Sequence, residues 1–118
     1  MSDNNVRIHE LLDYIRQGRI MDAMKEFYAD NVVMTEPAYG ATVCLEANLD
    51  REQKFVDSVA EFKSFETPAV AVGDGVSLYE NAMSWKSVDG QDIAVEQVAV
   101  QKWENGKIVH ERFYYATS

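Results

Sequence analysis

Asn105-Gly106, set between β-rich runs at residues 95–103 and 107–115, restricts the fold more than any other feature of the chain. Both residues tolerate positive φ, which a two-residue hairpin turn requires, so the flanking runs are expected to pair antiparallel. Each run is long enough to cross a curved sheet, and the hairpin ends almost at the C-terminus. Everything upstream then reads as cover for one face of that sheet.

The upstream part begins helical. Ile8, Leu11, Leu12 and Ile15 recur at helical spacing, and Gly18 follows where a left-handed residue closes a helix. Ile20, Ala23, Met24, Phe27 and Tyr28 repeat the pattern. Asp30-Asn31 signals a turn, residues 32–36 a short strand, and Pro37 its end. Residues 38–49 read as a loop. Asp50 and Gln53 resemble a capping box that opens a third helix striped with Phe55, Val59 and Phe62. From Pro68 the period changes to two: a strand at 69–72, a turn at Gly73-Asp74-Gly75, a long strand at 76–88 and a second hairpin turn at Asp89-Gly90. Helices first and a meander of strands afterwards give an α+β fold with the helices on one sheet face.

At 118 residues the chain makes one domain, 1–118, with a single core. A net charge of −9 argues against nucleic acid as a partner and equally against an anionic membrane surface. Cys44 is alone and forms no intramolecular disulfide. No apolar run approaches the roughly 18 residues that span a bilayer, and no signal peptide opens the chain, so a cytoplasmic location is expected. Two histidines among scattered carboxylates offer no metal-ligand spacing, and the Met and aromatic stripes serve as core without a cofactor.

Helix, Gly18, helix, Phe27-Tyr28-Ala29-Asp30-Asn31-Val32, then Glu36-Pro37, resembles the opening of the nuclear transport factor two-like superfamily, and within it the SnoaL-like and ketosteroid-isomerase-like members. The closing residues 103–109 and Arg112-Phe113-Tyr114-Tyr115 resemble that family's final strands. The resemblance covers nearly the whole chain. It implies a cone, a strongly bent antiparallel sheet wrapped around three helices, whose open end is a pocket for catalysis, binding or dimerisation. It also implies that Glu36, the acidic residue before the proline, is a general base, a role that an apolar surround would favour by disfavouring the charged form. Two positions depart from the family pattern. Ala116 stands where many SnoaL-like members carry an acid on the last strand, and Ala99 is nearest to the oxyanion-binding acid of the isomerases. Tyr14 resembles their oxyanion tyrosine but lies one helical turn away when counted from Gly18.

Two-residue turns at Asn105-Gly106 and Asp89-Gly90 set Trp103 opposite Ile108, Gln101 opposite His110, Ala99 opposite Arg112 and Glu80 opposite Ala99. One face would carry Leu78, Glu80, Ala82, Gln97, Gln101, Trp103, His110, Arg112 and Tyr114, mixed in polarity as a ligand site is. The other would carry Tyr79, Met83, Trp85, Val98, Val100, Phe113 and Tyr115, an apolar outer face expected to pair with a second copy. A single β-bulge would exchange the faces. The candidate site is then Glu36, His110 and Arg112 as catalytic groups, with Tyr14, Glu80, Gln97, Gln101, Trp103 and Tyr114 as ligand contacts. His110 would exchange protons, and Arg112 would hold an oxygen or form a structural ion pair with Glu80. Two functions fit: isomerase, cyclase or lyase chemistry on a hydrophobic carbonyl compound, or a non-catalytic binding or association module.

Overall fold

Residues 4–116 are described by the structure, a computed structural model. Three helices, α1 (Asn4–Arg16), α2 (Ile20–Phe27) and α3 (Leu45–Asp57), pack against six strands: β1 (Tyr28–Glu36), β2 (Gly40–Val43), β3 (Val59–Gly73), β4 (Val76–Ser87), β5 (Asp92–Glu104) and β6 (Lys107–Tyr114). The strands form one curled sheet in the order β2-β1-β6-β5-β4-β3. It is α+β as expected. It is mixed rather than wholly antiparallel, because β1 runs parallel to β6.

Gly18 closes α1 as its sequence position suggests. At φ 77° it lets its amide reach Ile15 O at 2.9 Å while the Arg19 amide reaches Tyr14 O at 2.9 Å, the double bond of a Schellman end. The turn presses Ile8, Leu11 and Leu12 against Ala23, Met24 and Phe27 of α2 and against Val32, Ala99 and Ile108 of the sheet, all essentially buried. Truncating one such leucine to alanine typically costs about 2–5 kcal/mol.

The third helix begins five residues before Asp50, so the capping-box reading gives way to another device. Cys44, at φ 74°, precedes the helix, and its amide donates to Val32 O at 2.9 Å. Asn48, fully buried, donates Nδ2 to Thr42 O at 3.0 Å and to Cys44 O at 2.8 Å, tying β2 to the first turn. The segment read as a loop therefore contains β2 and the start of α3. Val59 and Phe62, read as helical, lie on β3. That edge strand continues through Pro68 across a register shift between Glu66 and Ala69, a place where a missing amide is tolerated.

Both hairpin registers are one residue from the two-residue-turn expectation. After Trp103 pairs with Ile108, Val109 is an extra residue in β6, and Lys102 then pairs with His110, Gln101 with Glu111 and Ala99 with Phe113. The other turn is a three-residue loop, Val88-Asp89-Gly90. The Gly90 amide reaches Ser87 O at 2.9 Å, the Ser87 amide reaches Gln91 O at 2.8 Å, and Gly90 takes φ 90°. Asn81 thus faces Gln97, Tyr79 faces Ala99 and Ser77 faces Gln101. Since the side-chain period is two, each slip exchanges faces. Tyr79, Met83, Trp85, Phe113 and Tyr115 turn to the helices, while Leu78, Glu80, Ala82, His110, Arg112 and Tyr114 turn outward with Val98 and Val100.

Candidate functional site

Between the helices and the inner sheet face lies a cavity of about 690 Å³ with mostly apolar walls. Phe55 and Trp85 meet edge to face at 5.1 Å between ring centres on one side, and Phe65 and Tyr79 do so at 6.4 Å on another. Leu11, Ile15, Ile20, Met24 and Met34 supply the helical and β1 wall.

Three carboxyl groups reach this cavity. Val32, Met34 and Glu36 share the inward face of β1, so Glu36 lines the wall, as strand alternation from buried Met34 requires. Its carboxylate is engaged twice: Arg51 forms an ion pair with Oε2, and the Tyr115 hydroxyl donates to Oε1 at 3.0 Å. Burial, followed by this bond to Glu36, raises the Tyr115 phenol pKa.

Glu111 is fully buried at the inner end of a one-way hydrogen-bond chain. Trp103 Nε1 donates to Ser77 Oγ at 2.9 Å, and Ser77 Oγ donates to Gln101 Oε1 at 2.8 Å. Gln101 Nε2 donates to Glu111 Oε2 at 2.7 Å, and the Tyr28 hydroxyl donates to Oε1 at 2.5 Å. Burial pushes the Glu111 carboxyl up to about 7; the two bonds pull it down, and the nearby Glu52 and Glu36 charges push it up further. Tyr28 and Tyr79 are both held well above the usual phenol range, by burial first and by Glu111 next.

Glu52 projects from α3 into the same space, and no hydrogen bond holds its carboxyl among the described residues. Loss of water contact pushes it up to about 7, with Arg51 opposing and Glu36 reinforcing the rise. It is a carboxyl poised to give or take a proton near neutrality. Two donors on the cavity wall, Arg51 Nε and Asn81 Nδ2, are buried without a partner among the described residues, and Asn81 is the uncharged one. It is 3% exposed and its Oδ1 accepts from Gln97 Nε2 at 3.3 Å, but its Nδ2 has no partner among the described residues. An orphaned buried amide costs about 1–3 kcal/mol, which an acceptor on a bound molecule would recover.

The sequence-derived candidates separate accordingly. Glu36 and Gln97 line the cavity, and Gln101 and Trp103 support Glu111 from below. His110 lies on the outer face with Nε2 at 3.5 Å from Thr35 Oγ1, its pKa lowered by partial burial and then by Lys102 and Arg112. Arg112 is exposed with its guanidinium 5.2 Å from the Tyr114 ring, and Glu80, also exposed, pairs across the sheet with Val98. The expected buried Glu80–Arg112 pair is absent among the described residues because the register slip turns both outward. Tyr14 packs on Phe27 at 5.3 Å and under Arg19 at 4.2 Å, lining a shallow groove outside the cavity.

Glu52, Glu111, Arg51 and Asn81 went unread, and Tyr79, expected on the outer face, lines the cavity. Glu52 had a signal: with the helix beginning at Leu45, the spacing Leu45, Leu49, Glu52, Val56 puts a carboxyl into a half-buried apolar stripe. Glu111 and Asn81 needed the correct register.

A curled sheet closed by three helices, with acidic groups inside an apolar cavity, defines the architecture. The chain belongs to the SnoaL-like domain family, whose model matches residues 2–115. A structure from Mesorhizobium loti, named for the SnoaL-like polyketide cyclases, is 19% identical, with 98% of this chain and 100% of that one covered at a TM-score of 0.82. A nuclear transport factor two-like protein of unknown function from Burkholderia pseudomallei is 16% identical, with 98% and 92% covered at 0.82. A protein from Rhodopseudomonas palustris named as an isomerase is 17% identical, with 96% and 89% covered at 0.76. At these identities the likeness is one of fold. No curated protein matches the sequence at a significant level. Among the described residues no helix is long and apolar enough to cross a membrane, and no cluster of His, Cys, Asp and Glu could hold a metal ion.

Proposed function

We propose that the cavity takes a hydrophobic carbonyl compound and moves a proton on it, with Glu52 as the acid–base group. The observation that carries this reading is a carboxyl pushed up to about 7 in an apolar cavity that also holds an unpartnered amide donor. Ionised Glu52 takes the proton from the carbon beside the carbonyl. The electron pair moves onto the oxygen, where Asn81 Nδ2 donates to the developing charge, and protonated Glu52 returns the proton to a different atom of the same molecule. Reactants and products balance without a cofactor, as in isomerase- or cyclase-type chemistry. The names of two similar structures, a polyketide cyclase and an isomerase, agree with that class. Glu36, the sequence candidate for the base, is engaged by Arg51 and Tyr115 and serves better to hold Arg51 in place.

The test is deuterium uptake beside the carbonyl of a bicyclic ketone such as 2-tetralone in heavy water. Glu52→Gln keeps the shape and should slow uptake by roughly 10²–10⁴, the usual contribution of a positioned base. Binding without exchange, in wild type and variant alike, would favour the binding-only reading.

The outer face suits a second copy of the chain. Leu78, Val98, Val100 and Tyr114 form its apolar centre. Glu66, Glu80 and Glu96 cluster towards one end, and Lys102, His110 and Arg112 towards the other. A two-fold axis through the centre sets acid against base on both sides. Sedimentation should show a dimer that Val98→Glu splits, and a monomer at tens of micromolar would end the idea.

A further inference from the structure

A small-molecule cavity still has to choose the charge of its occupant, and the charged groups on the wall decide that choice. Five line it: Glu36 from β1, Arg51, Glu52 and Lys54 from α3, and Glu111 from β6. Glu36 and Arg51 neutralise one another as an ion pair. Lys54 is exposed, so its charge is largely screened by water. Glu52 and Glu111 remain, and neither forms an ion pair among the described residues. The phenols of Tyr28, Tyr39, Tyr79 and Tyr115 complete the titratable wall. Asn81 is the independent sign of a ligand: a 3% exposed amide on this wall whose Nδ2 donates to nothing among the described residues; Arg51 Nε, behind its ion pair with Glu36, also lacks a partner there.

Resting on the small-molecule reading above, we propose that the cavity selects a cationic amine carried on an aromatic body with one acceptor oxygen, and rejects carboxylates. The oxygen takes the hydrogen bond that Asn81 Nδ2 lacks. The ammonium lies beside Glu52, near enough to Glu111 to offset both charges where apolar walls screen little. A carboxylate would bring a further negative charge to two groups already driven towards their neutral forms, Glu52 by burial and the Glu36 charge, Glu111 by burial and the charges of Glu52 and Glu36. The aromatic lining of Phe55, Trp85, Phe65 and Phe113 suits a ring, and aromatic faces also attract ammonium groups.

The test uses three phenols alike in size: tyramine, 4-ethylphenol and 4-hydroxyphenylacetate, titrated by calorimetry into the full chain. At about pH 8.5 tyramine should bind at least about tenfold more tightly than 4-hydroxyphenylacetate, with 4-ethylphenol between them. At about pH 5.5, where Glu52 and Glu111 carry protons, the spread should shrink to about threefold or less. Glu52→Gln should shrink the spread at the higher pH without abolishing binding. Asn81→Leu should weaken all three alike, by about threefold to tenfold. Equal affinities at the higher pH, or a preference for the carboxylate, would overturn the charge preference and leave the small-molecule reading standing. No binding by any of the three would overturn both.

Discussion

The two faces of one sheet carry similar residues and do different physics with them. On the inner face Glu111 sits out of water, its oxygens filled by Tyr28 and Gln101. On the outer face Glu80 and Glu96 stand exposed, as do Lys102 and Arg112. Carboxyl groups four to five strand positions from a turn are thus surface charges on one side and near-neutral acids on the other. Residue type does not make an acid–base group. The environment does, through loss of hydration and a scarcity of nearby cations.

The largest expected effect lies at the buried end. Glu111→Ala strands the Tyr28 hydroxyl and the Gln101 amide, each a buried donor, and leaves a void. A loss of about 3–5 kcal/mol in urea titration is expected. A loss below about 1 kcal/mol would mean that the chain from Trp103 to Glu111 is not held as described.

A second effect is pH dependence. Burial pushes the folded Glu111 carboxyl up to about 7, from about 4.5 for the exposed group. The folded state therefore holds a proton that the unfolded chain has released, so this stabilisation is complete below about 4.5 and is lost as pH rises through about 7. On the order of 3 kcal/mol should disappear across that window. Glu111→Gln, which cannot ionise, should flatten the slope. Glu52 contributes in the same direction and by less, since it keeps some water contact.

Much of the fold was legible in the sequence, and the failures have two causes. Helical spacing from Ile8 to Phe27, Gly18, the Asn105-Gly106 hairpin and a strand ending at Glu36 followed from local rules. Which sheet face lines the cavity did not. The bulge at Val109 and the three-residue loop at Val88-Asp89-Gly90 each shift pairing by one, and two-residue turn chemistry reads neither. Without them, the two-residue-turn registers placed His110, Arg112 and Glu80 inside and left Glu111 unread. The start of α3 was hidden for another reason. It depends on Asn48 bonding back to β2, a contact that local helix-start signals do not report.

The smallest effect is expected where the register expectation predicted a large one. Arg112→Met removes an exposed guanidinium lying over Tyr114, and should change stability by under about 0.5 kcal/mol. A cost of several kcal/mol would return Arg112 to the buried side and reverse the face assignment.

The most direct test of the central claim is a ¹³C titration of the glutamate side-chain carboxyl carbons, with Glu52→Gln and Glu111→Gln used to assign the signals. Two carboxyl groups with midpoints near 7 are expected, those of Glu52 and Glu111. If both titrate near 4.5 with the surface glutamates, the cavity holds no acid–base group and the proposed proton transfer has no residue to perform it.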